Sequence, residues 1–136
     1  MASYSIAEMR AVGPFYAGKL KAAGIRSSRK LLERAGTPKG RKQLAELSGI
    51  QQEQILKWAN LADLMRVPGV AVEYAELLAA AGVYTVKELK RRNVANLVVR
   101  MTAINEKKKM VELLPSEKRV ARWVDHAKLL DPMMMY

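Results

Sequence analysis

The feature that most limits what this chain can fold into is that it carries much of itself twice. Shifted by 58, Met9-Arg10-Ala11-Val12-Gly13 falls on Val67-Pro68-Gly69-Val70-Ala71, Tyr16-Ala17 on Tyr74-Ala75, and Leu20 on Leu78. The correspondence continues through Ala22-Ala23-Gly24 and Ala80-Ala81-Gly82, then Leu31 with Leu89 and Arg34 with Arg92. A second register, shifted by 65, sets Trp58 against Trp123, Ala62 against Ala127 and Leu64 against Leu129. A unit of about 60 residues, duplicated with a seven-residue insertion, must bury one kind of core in two places. The expected organisation is a first unit at 1–64, a second, more degenerate one at 65–131, and a flexible tail at 132–136.

The period inside each unit is helical. Ile55, Trp58, Leu61, Ala62 and Met65 mark a buried stripe, and no strand-like alternation of useful length occurs, so the fold class is all-α. Both tryptophans are expected in the core. Gly24 and Gly82 are expected to close helices in the left-handed conformation. Ser3 or Ser5, Ser27 or Ser28, Thr37, Thr85 and Asn105 are candidate helix starts. Asn105 would open a helix running through Leu114 that carries Lys107, Lys108 and Lys109 in its first turns.

Val12-Gly13-Pro14 predicts a tight hairpin between two short helices. Gly13 tolerates a positive φ, and Pro14 suits the first turn of the helix that follows. The amides of Phe15, Tyr16 and Ala17 then form a helix start with room for an anion such as phosphate. Read on local pattern alone, Gly-Pro simply breaks one helix and begins another. A weaker hairpin lies at Leu47-Ser48-Gly49-Ile50.

These hairpins resemble the helix-hairpin-helix family, whose motif reads roughly Leu-Pro-Gly-Val-Gly-Pro-Lys-Thr-Ala before an apolar helix. The first copy supplies Ala11-Val12-Gly13-Pro14 and Ala17, and the second Val67-Pro68-Gly69-Val70 and Ala75. The arrangement from the first hairpin through Leu130 is similar to DUF4332, a bacterial family of unknown function that carries paired helix-hairpin-helix units in tandem. The resemblance implies sequence-independent binding of a nucleic-acid backbone, in some members a protein contact only, and a monovalent cation at the hairpin carbonyls. The pattern departs at Ala11 and Ala71, which stand where glycines are usual. Phe15 and Glu73 stand where a basic residue often faces the backbone.

Charge points the same way. The chain has 24 Lys and Arg against 13 Asp and Glu, a net +11. Residues 1–64 hold 11 basic and 5 acidic side chains, residues 65–136 hold 13 and 8. Such an excess suits a polyanion, with nucleic acid first, or else serves only as a solubilising surface; the resemblance favours DNA. Candidate contacts are Gly13, Pro14, Phe15, Tyr16, Lys19, Lys21, the turn Lys39-Gly40-Arg41-Lys42, Gly49, and Lys107 to Lys109. The cations of the Lys39 turn crowd a helix start, a conflict that either a bound phosphate or water and salt relieves.

Enzymatic function is not expected. The chain has no Cys and one His, His126, and Asp63 and Asp125 suit capping or surface roles better than catalysis. No cofactor is expected, and no apolar run approaches a membrane span, so the chain reads as cytoplasmic with no membrane partner. The alternative function is a scaffold or adaptor presenting its helix faces to an acidic protein.

Overall fold

The computed structural model describes residues 3–136. Eight α-helices occur among them, and no strand: α1 Gly13–Ala22, α2 Ser28–Ala35, α3 Pro38–Ser48, α4 Gln52–Leu64, α5 Val72–Ala80, α6 Val86–Leu89, α7 Val94–Lys108 and α8 Glu117–Ala127. The opening helix expected before the first hairpin is a single 3-10 turn, Ile6–Glu8, held by a capping box between Ser5 and Glu8.

Helix α4 is the axle. It buries Ile55, Trp58, Ala59, Leu61, Ala62 and Leu64, and packs on α2, α3 and α5. Helix α5 continues onto α7, which packs on α8, and α8 covers α6. The expected stripe on α4 is buried along its whole length, as are both tryptophans. Leu129 is 79 % exposed whereas Leu64, its counterpart in the 65-residue register, is fully buried, so that correspondence stops before the helix end.

Short-range chemistry sets the helix boundaries. The side chains of Ser27, Thr37, Thr85, Asn93 and Ser116 each accept a backbone N–H in the first turn of α2, α3, α6, α7 and α8. Two of these caps are 58 apart, Ser27 receiving Lys30 and Thr85 receiving Glu88. Other bonds recur at the same offset. Val12 N–H donates to the Met9 carbonyl and Val70 N–H to that of Val67; Ile25 donates to Leu20 and Val83 to Leu78. The last pair closes α1 and α5 with a left-handed glycine, Gly24 at φ 87° and Gly82 at φ 88°.

Between the halves lies one buried joint. Asp63, at the end of α4, accepts 2.8 Å bonds from Arg66 Nη1 and from the Val86 amide at the start of α6. Its role is therefore capping, but across the molecule. Arg66 Nη2 donates to the Asp131 carbonyl at 2.8 Å.

Two expectations fail. Residues 132–136 are tied down rather than frayed: Met134 is buried, the Met135 amide donates to the Gly36 carbonyl at 2.7 Å, and the Tyr136 hydroxyl meets Asn60 Oδ1 at 2.9 Å. The reason is steric and polar complementarity with α2. Gly36 has no side chain, and a Cβ there would stand 2.7 Å from the Met133 carbonyl oxygen. Second, no helix begins at Asn105. Helix α7 runs through it to Lys108, and the Asn105 side chain instead closes the following loop by bonding both the N–H and the carbonyl of Val111.

Candidate nucleic-acid interface

The nine helical segments among the described residues differ in how their N-terminal amides are satisfied. Six, counting the 3-10 turn, have a side-chain cap; α1, α4 and α5, the helices that follow Gly13, Gly49 and Gly69, have none. Of these three, α4 has Glu53 and α5 has Glu73 in the first turn, where a carboxylate offsets the positive pole. Helix α1 has neither cap nor acid. By helix geometry the Phe15 and Tyr16 amides have no intrahelical acceptor, while Ala17, buried and one turn inside, bonds back to Gly13 and is not a free donor. Gly13 itself adopts φ 79° with open space around its Cα, so the conformation and not crowding demands glycine there.

Three cations lie near this hairpin, two of them, Lys19 and Lys21, from the last turn of α1. Lys19 Nζ lies 4.9 Å from the Phe15 ring centroid and 4.0 Å from where a Cβ on Gly49 would sit. Lys19 therefore lies between the Gly13 and Gly49 turns. A hollow of about 470 Å³ opens beside Gly13 and Pro14 and is flanked by Lys21 and Arg10. Arg10 was missed in the sequence, where it looks like an ordinary helical surface residue; it also reaches Glu76 at 3.6 Å. Beyond it, Arg10 and Lys109 line a second hollow of about 560 Å³, shared with Glu73.

The basic turn on α3 does not belong to this surface as a unit. Arg41 is 5 % exposed; its Nη1 donates to the Ala35 carbonyl at 3.0 Å and its Nη2 to that of Met135 at 2.8 Å. The crowded charge at this helix start is thus relieved internally, by carbonyls at the end of α2 and in the tail. Burial pulls the Arg41 guanidinium below its ordinary pKa, opposed by the neighbouring Tyr136. Burial, then the charges of Glu88 and Asp63, push the Tyr136 hydroxyl upward, against Arg41. Gly40 is structural as well: its N–H goes to Thr37 Oγ1, and a Cβ would collide with the Arg34 carbonyl. Only Lys39 and Lys42 of that turn remain exposed.

Lys107 and Lys108 lie in the last turn of α7, and Lys109, at φ 48°, is its left-handed cap. Cations there complement the negative helix end, so the expected crowding at a helix start does not arise.

The Asp residues are committed elsewhere, Asp63 to the joint and Asp125 to an exposed pair with Lys128 at 3.6 Å. Among the described residues no group of three or more His, Cys, Asp or Glu could hold a metal ion, and no helix is long and apolar enough to cross a membrane.

What the geometry defines is an all-helical protein in which, among the described residues, α1 alone starts with neither a side-chain cap nor an acid in its first turn. The chain matches the family described as Domain of unknown function (DUF4332) over residues 10–130, and it belongs to that family. No curated protein and no solved structure matches it.

Proposed function

We propose that the chain binds nucleic acid, double-stranded DNA first, by its backbone and without reading sequence, using two helix-hairpin-helix units in tandem. The bonds recurring at an offset of 58 and the glycine turns before α1, α4 and α5 support that architecture. The observation that carries the function is the α1 pole: uncapped, free of acid and exposed, with Lys19 reaching from the last turn of α1 over the Phe15 ring and Lys21 and Arg10 lining the hollow beside Gly13. A phosphate oxygen would accept from the Phe15 and Tyr16 amides while the cations meet its neighbours. The net charge of +11 supplies long-range attraction. In this reading the chain is a non-catalytic, cytoplasmic binding module.

Fluorescence anisotropy with random duplex DNA at rising salt tests it. Affinity of about micromolar or better is expected, falling steeply with salt. Lys19→Glu with Lys21→Glu should abolish most of it, whereas Lys39→Glu with Lys42→Glu should weaken it less. Absence of binding even at low salt would refute the proposal and favour an acidic protein as partner.

A further inference from the structure

Phe15 is among the most exposed large apolar side chains of this protein. The residue is 68 % exposed, and its ring has neighbours. Tyr16 meets it nearly edge-on, with centroids 5.2 Å apart and an interplanar angle of 69°. Tyr16 lies in turn 5.2 Å from Trp58, which is fully buried. Three rings therefore lead from the core to solvent, and the outermost carries the Lys19 ammonium 4.9 Å from its centroid. A phenylalanine held in water in this way forgoes the stabilisation that burial would bring.

The second half lacks the device. Glu73 replaces Phe15 at the corresponding position, and Tyr74 spends its hydroxyl on the Leu113 carbonyl at 3.0 Å. The Arg119 guanidinium covers both Tyr74 and Trp123, 5.2 and 5.7 Å from their centroids.

We infer that Phe15 is a stacking platform for an unpaired nucleobase, so that the preferred ligand class is nucleic acid with unpaired bases, such as a gapped duplex. The inference rests on the nucleic-acid reading and narrows it. The Lys19 ammonium stands over one face of the ring, so a base would stack on the other, one sugar away from a phosphate held by that cation. In a fully paired duplex the base faces are covered by their neighbours, and a backbone offers a phenyl ring nothing to stack on. Stacking of this kind tolerates any base, in keeping with sequence-independent binding.

The test is anisotropy at one salt concentration with an intact duplex, the same duplex carrying a five-nucleotide gap, and the single strand. The gapped probe should bind more tightly than the intact one. Phe15→Ala should remove that advantage, a loss of about 5- to 150-fold on the gapped probe with a clearly smaller loss on the intact duplex, because the backbone amide stays while Lys19 loses its ring. Phe15→Trp should retain it. A 2-aminopurine in the gap should be quenched by the wild type and not by Phe15→Ala, and unchanged thermal melting would show that the variants fold. Equal wild-type affinity for gapped and intact duplex, or an equal loss on both with Phe15→Ala, overturns the inference while leaving backbone binding intact. No binding to any probe would overturn the nucleic-acid reading and this inference with it.

Discussion

The turns that open α1 and α5 share recurring backbone bonds and differ in what they leave unsatisfied. Each places a tyrosine against a tryptophan of the other register, Tyr16 on Trp58 at 5.2 Å and Tyr74 on Trp123 at 5.4 Å. Each closes its helix with a left-handed glycine. Yet the positive φ of the turn falls on Gly13 in the first copy and on Gly69, two positions earlier in the shared register, in the second. There a Cβ would come within 3.2 Å of Trp123 Nε1. With Glu73 in its first turn and Arg119 over its rings, the second hairpin answers its own electrostatics. The first leaves its pole to solvent. The backbone bonds recur at an offset of 58, and a few side chains decide which helix start is left to solvent.

The joint between the halves offers the largest test. Asp63→Ala strands the buried Arg66 guanidinium and strips the Val86 amide of its acceptor, which should cost about 3–5 kcal/mol. Urea denaturation of the wild type should show one transition, shifted strongly by the substitution. Two separate transitions in the wild type would mean that the halves do not depend on this joint.

Next come the turn glycines. Gly13→Ala meets open space and should cost only the left-handed strain, about 1–2 kcal/mol. Gly69→Ala adds displacement of Trp123 and should cost about 2–4 kcal/mol. Thermal melting of the pair decides it. Equal losses would remove the claim that the second hairpin is sealed by its tryptophan.

How much of this was legible in the sequence follows from the range of each interaction. Caps such as Ser27, Thr37 and Thr85 act within three residues and were readable, as was the α4 stripe, because its period is local. Arg41 was misjudged because its partner, the Met135 carbonyl, is 94 residues away, beyond any local pattern. Asn105 misled for a different reason. The same short polar side chain that caps helices also closes loops, and its choice of Val111 depends on α7 continuing past it. That error turned the sense of Lys107 to Lys109, from crowded at a helix start to favourable at a helix end. The α1 pole was visible as Gly-Pro; its distinction from α4 and α5 required knowing that Glu53 and Glu73 fall in first turns.

The smallest expected effect separates the copies most cleanly, because stability and binding should move in opposite directions. Phe15→Glu gives the first hairpin the acid that the second already has. In the first turn of α1 a carboxylate should stabilise the fold by about 0.3–1 kcal/mol through the helix pole. Lys19, four residues further along the same helix, adds about 0.2–0.5 kcal/mol in the favourable acid-before-base order. Both gains should fade in high salt, since position 15 is exposed. Affinity for nucleic acid should fall at the same time, because the new carboxylate occupies the pole and repels phosphate. A pole that served only to start the helix would gain stability without losing affinity. A rise in melting temperature at low salt with a weaker anisotropy titration, from one substitution, is the outcome that identifies the α1 pole as the open site.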